Sequence, residues 1–281
     1  MTRLVAVSNR VALPGMAAAA GGLAIGLAAT LRARGGLWFG WNGDVVDDHG
    51  DDPAQLQCAH LHRDAGVEFV TLPLSRDEHR DFYQGFCNTQ LWPLLHGLDP
   101  PAPMASGAQL AYQRVNRRYA RALQSSLHPR DLIWVHDFHL IPMCRELRRL
   151  GVTQPVGFFL HVPFAAPAQW QQLAAAGDLL DALLSHDVIG FQTARDLAHF
   201  RAAVALGKRP AAFMPDGSLR LGERHIRLGV WPIGVDIDAL RRAADRGDAT
   251  TAPRPQIVGL DRLQASKGLE ARLQAYSQLL D

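Results

Sequence analysis

Two apolar runs constrain this chain more than any other feature: Leu132-Ile-Trp-Val-His-Asp-Phe-His-Leu140 and Pro155-Val-Gly-Phe-Phe-Leu-His-Val-Pro163. Each ends in polar groups, and a helical pattern from Ile141 to Leu150 separates them. Runs of this length with a helix between them read as central strands of a parallel sheet. In open α/β folds, ligands gather beyond the carboxyl ends of such strands. Asp137 and His161 stand at those two ends and are the first candidates for chemistry.

The bulk properties narrow the classes. The 281 residues suffice for one large domain or two modest ones, and 48% hydrophobic with 20% charged residues fits a chain that buries a real core. A formal net charge of +2, with no basic stripe interleaved with aromatics, gives no reason to invoke nucleic acid. Cys58, Cys87 and Cys144 form no CxxC pair, so neither a zinc knuckle nor a disulfide framework is expected, and the odd count fits a reducing compartment. No carboxylate cluster suggests a metal; the acidic stretch from Asp44 to Ala54 lacks calcium-loop spacing. No apolar run is long enough to span a membrane, and Ser8-Asn9-Arg10 interrupts the N-terminal run too early for a signal peptide. The reading is a cytoplasmic protein.

In chain order, Leu4 to Val7 is a short buried strand and Ser8-Asn9-Arg10 leads into a loop. Gly21-Gly22 then opens an Ala-rich helix carrying Leu23, Ile25, Leu27 and Leu31 to about Arg34. Strand, loop, glycine pair and helix make an anion-binding first turn or simply a turn. Gly35 to Gly43 holds Trp38, Phe39 and Trp41, either core residues or ring faces for a sugar. Ser75 with Glu78 reads as a capping box for a helix reaching Trp92-Pro93, where the proline ends it or starts another. On an ideal α-helix Tyr83 and Trp92, nine residues apart, are half a turn out of register, so they share a ligand only if the helix breaks. Further expectations are a helix over 109–127, Thr193 capping a helix to about Ala205, a hairpin near Met214–Glu223, and a strand Gln256–Leu260 followed by a helix over Leu269–Leu280.

Ser8-Asn-Arg10, Gly21-Gly-Leu23, Gly36-Leu-Trp-Phe-Gly-Trp41, Tyr83 with Asn88 and Leu91-Trp-Pro93, His136-Asp-Phe-His-Leu140, Phe159-Leu-His-Val-Pro-Phe164, Gly190-Phe-Gln-Thr193, Pro232-Ile-Gly-Val235, and Asp261-Arg-Leu263 with Ser266-Lys-Gly268 occur in one order through nearly the whole chain. In these motifs the chain resembles the trehalose-6-phosphate synthases of retaining glycosyltransferase family 20. The resemblance implies an α/β fold of the GT-B type with two Rossmann-like domains. Here residues 1–235 would form the N-terminal acceptor domain, 236–254 a connection, and 255–281 the first strand and helix of a nucleotide-sugar domain. The family continues well beyond Asp281, and that stretch carries most of its second domain.

The activity implied is transfer of glucose from UDP-glucose to glucose 6-phosphate, giving α,α-trehalose 6-phosphate and UDP with retention, and with no metal or other cofactor. Carried onto this chain, the resemblance assigns Arg10, Trp41, Tyr83, Trp92 and Asp137 to the acceptor. Gly22, His161, Arg262 and Lys267 go to the donor, and His161 and Asp137 to catalysis. An arginine fork suits a phosphate because it offers several charge-assisted donors in one plane. His136 and His139 are expected to support rather than to react. Two departures touch the donor side: Ala19 replaces a serine frequent in the family, and Gln264-Ala265 replaces Asp-Tyr before Ser266-Lys267. Glucosylglycerol-phosphate synthases share the pattern, so glycerol 3-phosphate is an alternative acceptor. A non-catalytic sugar-phosphate-binding module is a third reading, and a homo-oligomer is among the states open to the chain.

Overall fold

A computed structural model describes residues 2–14, 22–47, 60–98, 106–207, 209–245, 257–261, 263 and 267–280. These fall into two compact units, Met1–Gly234 and Val235–Asp281. The first is an α/β domain on one sheet. Its strands are β1 Leu4–Arg10, β2 Gly36–Val46, β3 His60–Asp64, β4 Val67–Ser75, β5 Leu132–His136, β6 Val156–Leu160, β7 Val188–Phe191, β8 Ala211–Phe213, β9 Leu219–Leu221 and β10 Arg224–Val230. They lie in the order β3-β4-β2-β1-β5-β6-β7-β10-β9-β8. The run from β4 to β10 is parallel, while β3, β9 and β8 pair antiparallel at the two edges.

The direction of each crossover sets the layers. From β1 the chain passes through helix α1 (Gly22–Arg34) to β2 on one side. From β4 onward it steps the other way, first through α2 (Glu78–Leu91), α3 (Trp92–Leu95) and α4 (Ser106–Gln124) to β5. It then continues through α5 (Met143–Arg149) to β6, α6 (Pro167–Trp170) and α7 (Ala176–Leu183) to β7, and α8 (Ala194–Leu206) to β8–β10. Right-handed crossovers therefore put α1 on one face and the later helices on the other.

Strand alternation follows this division. Val5, Val7, Ile133, Val135, Val156, Phe158 and Leu160 enter the large core under α2, α4 and α5. Ala6 and Trp38 join the smaller core with Leu27 and Leu31 of α1, and Trp134 packs against it. A cavity of about 580 Å³ runs along the α1 face, bordered by Leu23, Leu27, Trp134, Phe159 and Trp231, with His136 and His161 in its wall. Gly26 lets α1 lie close to the segment after β10, since a Cβ there would touch Ile233 Cδ1 at 3.4 Å.

The local signals are realised. Ser75 N–H donates to Glu78 Oε2 at 3.1 Å and Glu78 N–H to Ser75 Oγ at 3.1 Å, closing the capping box. Thr193 Oγ1 accepts from Asp196 N–H at 3.2 Å at the start of α8. β8 and β9 form the expected hairpin, and Pro93 starts α3.

Three expectations change. β1 does not stop at Val7 but runs to Arg10, because Ser8 and Arg10 continue the pairing with Gly40 and Trp41 across a bulge. α2 is wound as a π-helix, with wider turns than an α-helix. Nine residues then span about two turns, so Tyr83 and Trp92 need no break to stand on one side. In the second unit, helices Ile237–Asp245 and Leu269–Leu280 are present, but no strand forms over Ile257–Leu260. Those side chains are more than four-fifths exposed, and among the described residues no strand lies beside them to complete a ladder.

Candidate active site

Four adjacent parallel strands, β2, β1, β5 and β6, bring predicted residues to one edge of the sheet. Trp41 lies on β2, Arg10 ends β1, Asp137 follows β5 and His161 follows β6. Residues more than a hundred positions apart in sequence thus meet where α/β folds hold ligands.

Arg10 is exposed, and its guanidinium carbon lies 5.1 Å from the centroid of the Trp41 ring. Gly43, at φ 97°, leaves room for it; a Cβ there would collide with the guanidinium. Below, Trp38 Nε1–H donates to Ser8 Oγ at 2.8 Å and Ser8 Oγ–H donates to the Arg10 carbonyl at 2.8 Å, which fixes the end of β1. Trp41 is 3% exposed and spends its indole N–H on the Asp44 carbonyl at 2.7 Å. Its ring belongs to the large core, with His79, Tyr83 and the Arg10 guanidinium against it, so neither ring nor N–H is offered to a hydroxyl.

Tyr83 stands between two imidazoles, stacked on His139 at 5.8 Å and on His79 at 5.4 Å, and tilted against Trp41 at 5.3 Å. Trp92, half-buried, packs on His96 at 4.0 Å. Burial pushes His139 down to about 3, so its ring is neutral and serves as a flat platform. His79 and Gly43 were not singled out from the sequence. A signal existed for His79, which precedes Tyr83 by one turn on the helix.

Asp137 has φ 72° and ψ 165°, a conformation rare for a residue with a Cβ and costing about 1–3 kcal/mol. Three hydrogen bonds hold it: its N–H donates to the Phe159 carbonyl at 2.8 Å, its carbonyl accepts from Leu140 N–H at 3.1 Å, and Oδ1 accepts from His161 N–H at 3.2 Å. Burial pushes the carboxyl up to about 6, against the pull of the Phe138 and His161 N–H groups. Such a carboxylate is ionised at neutral pH and is a strong hydrogen-bond acceptor for a hydroxyl.

His161 follows the parity of Phe159 and His136 that of Trp134, so both rings fall on the α1 face. His136 Nδ1 lies 3.0 Å from His161 Nε2. Burial lowers His161 to about 4 and His136 well below its usual range. Gly22 begins α1, is exposed and has open space where a Cβ would be; its neighbour Leu23 borders the same cavity as His161. Lys267 belongs to the second unit, where it is exposed, and Arg262 lies outside the described residues. Among the described residues no three His, Cys, Asp or Glu side chains gather as a metal site, and no helix is long and apolar enough to cross a membrane.

The family model for glycosyltransferase family 20 matches residues 9–281. The chain belongs to glycosyltransferase family 20. It is 36% identical to a trehalose-6-phosphate synthase of Klebsiella pneumoniae, the match covering all of this chain and 60% of that protein. The family-20 fold is equally plain in three dimensions. An α,α-trehalose 6-phosphate synthase from Burkholderia multivorans superposes with a TM-score of 0.89 at 36% identity, over 100% of this chain and 62% of the other. A UDP-forming α,α-trehalose-phosphate synthase from Burkholderia xenovorans, in complex with glucose 6-phosphate, gives 0.88 at 37% identity over 99% and 62%. The chain therefore spans about 60% of the length of the curated relatives it matches.

Proposed function

We propose that the Arg10–Asp137 edge, with His161 on its donor side, is the acceptor side of a family-20 glucosyl transfer, in which glucose 6-phosphate takes glucose from UDP-glucose to give α,α-trehalose 6-phosphate. The observation that carries this is the state of Arg10. Among the described residues its guanidinium makes a ring contact with Trp41 and no ion pair, although it sits on a braced strand end. A guanidinium so held, with its donors unspent, suits a phosphate monoester. The relative solved with glucose 6-phosphate supports the choice of ligand.

In this reading Arg10 grips the phosphate, Tyr83 and Trp92 line the phosphate cleft, and Trp41, buried under the guanidinium with its N–H already spent, supports Arg10 instead of holding a sugar hydroxyl itself. Asp137 accepts a hydrogen bond from the attacking hydroxyl and orients it. His161 donates to a hydroxyl of the transferred glucose. Gly22 at the start of α1 offers backbone N–H groups to the donor pyrophosphate, and Arg262 and Lys267 neutralise the departing UDP. No side chain here serves as a covalent nucleophile, in keeping with front-face displacement in which the leaving phosphate takes the hydroxyl proton. Sugar-phosphate binding needs only the acceptor edge, whereas turnover needs both substrates held together.

Calorimetric titration of the 281-residue chain with glucose 6-phosphate tests this. Saturable binding is expected, with Arg10→Ala weakening it at least about tenfold, since a charge-assisted hydrogen bond is worth roughly 1.5–3 kcal/mol. A folded chain that ignores glucose 6-phosphate refutes the assignment, and a preference for glycerol 3-phosphate moves the acceptor to the glucosylglycerol-phosphate type.

A further inference from the structure

His136 and His161 end adjacent strands and face each other across 3.0 Å, Nδ1 to Nε2, with ring centroids 5.3 Å apart. His136 is 1% exposed and wedged against Trp134 at 4.3 Å, and His161 rests on Phe159 at 4.7 Å. Because burial keeps both rings uncharged at neutral pH, one hydrogen lies between them and each ring carries one hydrogen in all. Only two arrangements satisfy that count. If His161 donates, the single hydrogen of His136 sits on Nε2, which is buried and has no partner among the described residues. That leaves an orphaned buried N–H, the rarer kind of unsatisfied group. If His136 donates from Nδ1, its Nε2 is a bare lone pair and no donor is stranded.

We propose that His136 is a positioning residue: its Nδ1–H donates to Nε2 of His161, fixing His161 as the Nδ1–H tautomer and presenting that N–H to a ligand oxygen at the sheet edge. Three supports then hold His161. Its backbone N–H is bound by Asp137, its Nε2 by His136, and its ring face by Phe159. An N–H fixed in this way needs no reorganisation when charge or lone-pair density arrives. What the N–H meets rests on the function proposed above; the tautomer itself does not.

Long-range proton–nitrogen correlation spectra of the 15N-labelled chain at neutral pH read the tautomer directly. The His161 signals are assigned by their loss in His161→Gln. The expected result is a protonated Nδ1 and an unprotonated Nε2 on His161. His136→Asn, whose amide N–H can replace the lost donor, is expected to keep that pattern, and His136→Phe to release His161 to the Nε2–H form ordinary in solvent. A His161 protonated at Nε2 in the unaltered chain overturns the proposal, and that spectrum decides even where a variant fails to fold. An unchanged tautomer in folded His136→Phe also overturns it. Failure of glucose 6-phosphate to bind would leave this result standing and remove only the acceptor assignment.

Discussion

Lowering the pH from 7 to 5 should remove at least about 4 kcal/mol from the stability of the first unit, buried His136, also held well below its ordinary value, adding to the loss. His139, His161 and His186 are held neutral by burial, at about 3, 4 and 4 against an ordinary 6.5. Their contribution is complete above pH 6.5. As the pH falls below that value the unfolded chain takes up protons that the folded chain refuses. By pH 5 each histidine has given up roughly 2 kcal/mol. Asp137 opposes them: its folded value near 6 lies above the ordinary 3.8, so the folded state takes its proton first and regains about 1 kcal/mol over the same interval. The lowered carboxyls, Asp131 and Asp178, lose their contribution only below this window. Urea unfolding followed by far-ultraviolet circular dichroism at pH 7, 6 and 5 should show the midpoint falling by about 1–2 M. His186 is the cleanest probe, being fully buried against Phe158 and remote from the strand edge. His186→Phe should cut the pH 7-to-5 difference by about 2 kcal/mol. A midpoint that holds or rises between pH 7 and 5, or a folded His186→Phe chain with the full difference, would refute the reasoning.

Two further outcomes follow from particular contacts. Gly43→Ala places a Cβ in the space of the Arg10 guanidinium, which must swing aside, so it should weaken glucose 6-phosphate binding but by less than Arg10→Ala, while circular dichroism shows the fold retained. Arg118→Met removes the guanidinium that donates to Glu78 at 2.6 and 3.0 Å and to the Pro73 carbonyl at 2.9 Å, leaving a buried carboxylate with only its Ser75 cap among the described residues; thermal or urea unfolding should register a loss of about 3–5 kcal/mol.

What could be read from the sequence was local. The Ser75–Glu78 box, the Thr193 cap, the strands β5 and β6 and the corner after His136 all depend on residues within a few positions of one another, and each appears as expected. Distant partners hid the rest. β1 reaches Arg10 because Gly40 and Trp41 pair with it, and nothing in Ser8-Asn9-Arg10 alone announces a strand. The wide winding of α2 likewise escaped a reading that assumed 3.6 residues per turn. Ile257–Leu260 has the composition of a strand, but a strand exists only beside another. The edge residues were legible singly, whereas the imidazole pair and the Gly43 gap became visible only when the strand ends stood side by side.

The strict alternation along β5 and β6 bears on how such a chain can vary through time. Substitutions inside these strands alter one side chain, but loss or gain of a single codon between Leu132 and His136 would exchange the two sets of neighbours. Val135 would replace His136 at the cavity, and the imidazole would be driven into the oil of the opposite layer. Length variation is thereby confined to the connections, and there to the stretches beyond Asp137 and His161, while β5 and β6 keep an unchanging count.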